Sequence, residues 1–168
     1  MLNEILQTSL NPLSIAIASL ILILSIVIQV FSNNYLEGDK KKHLFLLKIN
    51  CLTLSMLILI LTNHIWVFFL SWMSSNLLLV DLMVYKSHWK QALRSGQIAL
   101  LYMSIGFIAL FTGIFIMNTQ FDISLFSELE SINLNQELII ANQAISPIWL
   151  LSFSFLIPAM IQSAQLPF

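Results

Sequence analysis

The chain is 168 residues long and 19.1 kDa, with 58% apolar and 9% charged residues and a mean hydropathy of +0.89. Soluble domains run at about 45–50% apolar and about 25% charged, so a conventional soluble enzyme core is excluded and an all-α integral membrane protein is expected. The net charge of −1 gives no basis for nucleic-acid binding, and the bilayer is the partner the composition requires.

Cys51 is the only cysteine, which rules out a disulfide framework within the chain. His43, His64 and His88 are scattered without a zinc-binding spacing. There is no nucleophile–base pair or phosphate-binding loop. No catalysis, metal or cofactor is therefore expected of this chain.

A single transmembrane domain over 1–168 is expected, with five spans. The first apolar run, Leu13 to Phe31, carries no charge and would make about 28 Å of helix. Pro12 stands where a helix start tolerates proline, and Ser32-Asn33-Asn34 forms the exit. Glu4 precedes the run without any Lys or Arg. The run is also longer than a signal-peptide core of about 7–15 residues, so it reads as a retained span. The second span, 44–61, is interrupted by Lys48 and leads into the short turn Thr62-Asn63-His64. The third, 65–85, contains Ser71, Ser74, Ser75, Asn76 and Asp81. The fourth, 98–117, is uncharged. The fifth, 145–168, is broken by Pro147, Pro158 and Pro167.

All seven Lys and Arg residues fall in two places. Lys40, Lys41, Lys42 and Lys48 lie in or just inside the first loop, and Lys86, Lys90 and Arg94 lie in the third. In a five-span serpentine these loops share a side, so the positive-inside rule places the N-terminus outside. The fourth loop, Asn118 to Ala144, carries Asp122, Glu128, Glu130 and Glu137 and would also face outside.

Ionisable residues within spans are functional candidates, because burying one costs roughly 2.5–3.5 kcal/mol even on the gentler scales. Lys48 and Asp81 both lie about 6 Å from the inner face, on adjacent antiparallel helices. They could pair or form a step in an ion path, but the favoured reading of the sequence is that Lys48 snorkels and Asp81 sits at a wet boundary. The Ser71, Ser74, Ser75, Asn76 cluster fits helix packing through interhelical hydrogen bonds or a hydrated cavity. Ala99, Gly106 and Gly113 recur every seven residues, with Ala109 on the same side. That smooth stripe suits close helix packing better than a pore wall. In the fifth span Pro158 removes a backbone hydrogen bond and Pro167 follows. Gln162 and Gln165 share a face beside Pro158. This arrangement fits an ion site at an interrupted helix, or a kinked packing helix, equally well.

Two stretches resemble the antiporter-like membrane subunits of respiratory complex I and their cation/proton antiporter relatives. Met56 to Met73, MLILILTNHIWVFFLSWM, is similar to a family segment running from a Ser-Met-Leu helix through an Asn-containing turn to an aromatic stretch ending in Trp-Glu. Ser55, Met56 and Trp72 match. Gln162 to Phe168, QSAQLPF, resembles the family's Lys-Ser-Ala-Gln-x-Pro motif, with Ser163, Ala164, Gln165 and Pro167 matching. A basic stretch opening an apolar span, Lys90 to Met117, also falls where the family has one. The likeness covers roughly residues 44 to 168.

The family's glutamate after the tryptophan is Met73 here, and its lysine before Ser-Ala-Gln is Gln162. The resemblance attributes proton movement to those two positions, and neither titrates in this chain. Trp72 to Tyr85, WMSSNLLLVDLMVY, is similar to the Trp-x-x-Thr-Ser-Leu-x-Leu pattern of the inorganic-carbon transporter membrane subunit DabB, which also lacks that glutamate. That branch implies cation-coupled bicarbonate or CO2 uptake, energising a large peripheral zinc-containing partner. It also implies the inner (plasma) membrane of a bacterium rather than an organelle. Family members continue past the closing motif, so a split or truncated member completed by other membrane subunits is expected. Two functions follow: an ion-conducting module of a larger complex, or a structural or assembly subunit without conduction of its own.

Overall fold

The computed structural model describes residues 11–85, 89–131, 138–140, 143–145 and 147–163. Five α-helices dominate: α1 (Pro12–Tyr35), α2 (Lys42–Leu61), α3 (Ile65–Met83), α4 (Lys90–Phe121) and α5 (Pro147–Gln162). Between α4 and α5 lie a short 3-10 turn, Phe126–Ser131, and two three-residue strands, β1 (Leu138–Ile140) and β2 (Gln143–Ile145). The strands pair antiparallel with Ile139 opposite Ala144. The protein is an all-α membrane protein carrying one small hairpin.

Helices α1 to α4 are each long and apolar enough to cross a membrane, and α5 is a shorter apolar helix. Their apolar side chains point mostly outwards. Leu20, Ile23, Ile26 and Val30 of α1 are all at least half exposed, and only 6% of its most apolar stretch is buried. A soluble protein rarely leaves so much contiguous hydrocarbon uncovered, whereas lipid tails solvate it.

The chain divides into two compact units, Met1–Ala99 and Leu100–Phe168. In the first, α2 packs against both α1 and α3, with Ile49, Ile65, Phe69 and Val80 buried. In the second, Leu110, Ile114 and Met117 of α4 and Leu151 of α5 are buried.

Element ends follow local chemistry rather than hydropathy. Pro12 occupies the first turn of α1, and Pro147 opens α5, where its missing N–H costs nothing. Leu36 to Asp39 form a turn closed by the Asp39 N–H to the Leu36 carbonyl, 3.1 Å, with Gly38 at φ +87°. Asp39 Oδ1 then accepts from the Lys41 N–H at 2.9 Å, setting up the entry to α2. At the other end of α2, His64 caps α3: its Nδ1 accepts from the Trp66 N–H at 3.3 Å, and its own N–H donates to Thr62 Oγ1 at 3.2 Å.

Several elements differ from the sequence expectation. α1 runs on through Ser32-Asn33-Asn34, the expected exit, to Tyr35, and α2 begins two residues early at Lys42. α4 runs 32 residues, about 48 Å, well beyond the uncharged 98–117 stretch. Hydrogen bonding continues through Lys90 and Arg94 because long cationic side chains are good helix formers that reach outward. α3 ends at Met83, leaving Tyr85 beyond it. α5 is continuous through Pro158 to Gln162. The proline therefore removes one N–H from the ladder, the partner of the Ser154 carbonyl, without ending the helix.

Candidate functional site

The antiparallel α2–α3 hairpin turns within three residues, which fixes residues on the two helices at matching levels. Lys48 and Asp81 are placed this way. Lys48 Nζ lies 2.7 Å from Asp81 Oδ2, and their side chains are 29% and 54% exposed. The carboxylate thus holds its counter-ion while keeping an open side, so it is reachable from outside the unit. Between two apolar helices each charge neutralises the other, and removal of either partner would leave an uncompensated charge.

A second contact lies beyond this pair, at the end of the hairpin nearest the first loop. The Tyr85 hydroxyl donates to Asp39 Oδ2 at 3.0 Å, and its ring meets Phe45 edge-on with centroids 4.7 Å apart. Partial burial, the hydrogen bond to Asp39 and that carboxylate's negative charge hold the Tyr85 phenol above its ordinary pKa. The contact brings the first loop and the start of the third to one end of the hairpin.

The α3 polar cluster turns inward on its own helix. Ser74 Oγ donates to the Ser71 carbonyl at 3.0 Å, Ser75 Oγ to the Trp72 carbonyl at 2.9 Å, and Asn76 Nδ2 to the same Trp72 carbonyl at 3.0 Å. Ser71, Ser75 and Asn76 are buried, Asn76 at 1% exposure. These hydrogen bonds are therefore intrahelical, and the small side chains serve close packing.

Side-chain hydrogen bonds also join α1 to α2, through uncharged residues that belong to no motif. Ser25 Oγ and Thr53 Oγ1 are 2.8 Å apart, and Gln29 Nε2 donates to both Ser25 Oγ and Asn50 Oδ1 at 2.9 Å. The signal was present as spacing: Ser25 and Gln29 are four apart, Asn50 and Thr53 three apart, at similar distances from the same loop. Each pair shares a helix face.

The remaining candidates lie on α4 and α5. Gly106 and Gly113 are buried and Ala99 is half-buried. A Cβ on Gly113 would come within 2.7 Å of Ser154 Cβ and 3.7 Å of Phe155 Cε2, which makes this glycine a point of close α4–α5 approach. Gly96, which the seven-residue stripe passes over, is equally restricted by Val84 Cγ2. Pro158 is buried, and Gln162 ends α5 on the exposed surface. Gln165 and Pro167 lie outside the described residues. Met73 is half-buried on α3. Among the described residues no group of three or more His, Cys, Asp or Glu side chains could hold a metal ion.

Taken together, the helices and the paired charges define a multi-pass membrane protein with an ionic contact inside its helical hairpin. No family profile matches the chain. It is similar to NADH-ubiquinone oxidoreductase chain 5 of Anopheles quadrimaculatus, 26% identical over 156 residues, covering 93% of this chain and 25% of the relative. The chain thus spans about a quarter of the length of that curated relative. The likeness supports the complex I antiporter-like superfamily, the wider group that the Met56–Met73 and Gln162–Phe168 motifs resemble.

Proposed function

We propose that this chain is a membrane subunit of an ion-coupled, antiporter-like complex of the NADH–quinone oxidoreductase kind, working alongside other membrane subunits. The observation that carries the reading is the 2.7 Å contact between Lys48 and Asp81 on two apolar helices. In this reading the two are the moving parts of an ion path. When Asp81 takes up a proton or a cation, Lys48 loses its counter-charge and its ammonium shifts towards the next acceptor. When Asp81 is emptied, the pair re-forms. Asp81 lies two turns along α3 from Met73, about 12 Å, so this pair takes over a task for which Met73 and Gln162 have no titrating group. Pro158, which takes one N–H out of the α5 ladder, and Gln162 are proposed separately as a polar, loosened stretch of α5, with Gln165 and Pro167 added to it on the sequence motif alone. No catalytic role is proposed for the chain.

The test is proton-coupled transport in sealed vesicles carrying the intact complex. Lys48→Met and Asp81→Asn are each expected to reduce transport at least about tenfold, equivalent to about 1.4 kcal/mol, while Lys48→Arg keeps most of it. Full transport with both residues neutralised would leave a structural or assembly subunit instead.

A second reading, cation-coupled inorganic-carbon uptake with a peripheral zinc protein, is favoured by the Trp72–Tyr85 pattern and by Met73 where a glutamate would stand. Mild-detergent purification separates the two. Quinone-reductase subunits accompanying the chain support the first, and a large zinc protein supports the second.

A further inference from the structure

Between α1 and α2 lies a groove of about 310 Å³, lined chiefly by Ile21, Ile28, Phe45, Ile49, Leu52 and Met56. Ser25 and Thr53 also border it, but their hydroxyls bond each other, leaving a hydrocarbon wall. On α2 the lining residues follow a three-four spacing, and continuing that stripe by one step reaches Lys42. Lys42 thus stands about one turn before Phe45, towards the first loop, and is half-buried; Lys40 and Lys41 precede it in the chain and are exposed. Of the acidic neighbours, Glu37 is exposed, while Asp39 accepts from the Lys41 N–H and the Tyr85 hydroxyl.

The dimensions select the occupant. From Phe45 to Met56 the groove runs about 16 Å, half of the roughly 30 Å hydrocarbon core and so the depth of one leaflet. An acyl chain suits an apolar groove one leaflet deep, and a phosphate at the loop end would lie at the level of the lysines.

We propose that this groove holds one acyl chain of an anionic phospholipid whose phosphate is bound by Lys40, Lys41 and Lys42. Juxtamembrane lysines attract anionic headgroups individually, and the slot converts that attraction into a fixed position. The lipid fills the gap that α1 and α2 leave beside their polar ladder, bracing α1 against the hairpin that carries Lys48 and Asp81.

The experiment uses the chain purified with whatever subunits accompany it, stripped of lipid, then titrated with phosphatidylglycerol or phosphatidylcholine and read by native mass spectrometry. Phosphatidylglycerol is expected to bind at least tenfold more tightly. The triple change Lys40→Gln, Lys41→Gln, Lys42→Gln should remove that preference and return phosphatidylglycerol to the affinity of phosphatidylcholine. Lys90→Gln with Arg94→Gln, on another helix, should leave it unchanged. Ile49→Trp, which fills the slot, should abolish the tight site for both lipids. If Ile49→Trp loses helicity by circular dichroism, the surface lysine variant decides alone. Equal binding of the two lipids, or unchanged preference in the triple variant, overturns the proposal. So does cross-linking of a protein subunit to a cysteine placed at Ile28.

Discussion

Gly38 sits in open space, with nothing within 4 Å of where a Cβ would lie, yet its φ is +87°. Substitution there tests backbone conformation free of packing effects. Left-handed backbone costs an ordinary L-residue roughly 1–2 kcal/mol, and a turn with positive φ at its third residue requires Gly or Asn. Gly38→Ala is therefore expected to lower the thermal midpoint in detergent by about 2–8 °C, and Gly38→Asn by less. Equal midpoints for the two would show that the turn relaxes without cost. Asp122 is the contrasting case: it takes φ +53° without being glycine, at a helix exit where Asp and Asn tolerate that region. The Ile123 N–H there donates back to the Met117 carbonyl. Legibility at this scale was uneven for the same physical reason. Lys48 and Asp81 stand out because charge within an apolar run is costly wherever it points. Ser25, Gln29, Asn50 and Thr53 pass as ordinary polar residues until two helix faces are brought together.

At the scale of elements, the apolar runs located the helices because lipid demands uninterrupted hydrocarbon and complete backbone hydrogen bonding. Helix ends were less legible, since hydropathy reports the bilayer while the hydrogen-bond ladder decides where a helix stops. α4 shows this at its start, where Lys90 and Arg94 continue the helix outside the apolar stretch. Of the stripe of small residues, Gly113 has a close neighbour on α5, while Gly96, off the seven-residue period, has Val84, just beyond the end of α3. Gly113 supplies the prediction here. A Cβ would strike Ser154 Cβ at 2.7 Å, an atom held by its own backbone with no flexible end to yield. Overpacking of this kind costs typically about 1–3 kcal/mol. Gly113→Ala should lower the thermal midpoint in detergent, and adding Ser154→Gly should restore part of it. A double variant no better than the single one would place the strain elsewhere. The α1–α2 ladder is weaker: hydrogen bonds between membrane helices average about 0.6 kcal/mol, so its two interhelical bonds align α1 more than they anchor it.

At the scale of the whole molecule, the arrangement of charge demands a definite orientation. All seven cationic residues belong to the first and third loops or the helix turns beside them, and the Tyr85–Asp39 bond brings the edges of those loops to one end of the α2–α3 hairpin. The positive-inside rule predicts the cytoplasmic side for that end and the opposite side for Asn63. The exposed Cys51 is first replaced by serine, and single cysteines are then placed at Glu37 and Asn63. A membrane-impermeant maleimide should label Asn63→Cys on intact cells, and Glu37→Cys only after permeabilisation. The reverse pattern would invert the bundle. It would put the Lys48–Asp81 pair near the opposite face, so that ions would enter the proposed path from the other compartment. Labelling of both sites from one side would break the hairpin topology itself, because one membrane-crossing helix, α2, separates residues 37 and 63 and puts them on opposite faces. The orientation therefore decides which compartment the proposed path at Asp81 would open to, and the vesicle transport experiment has a required direction only once it is known.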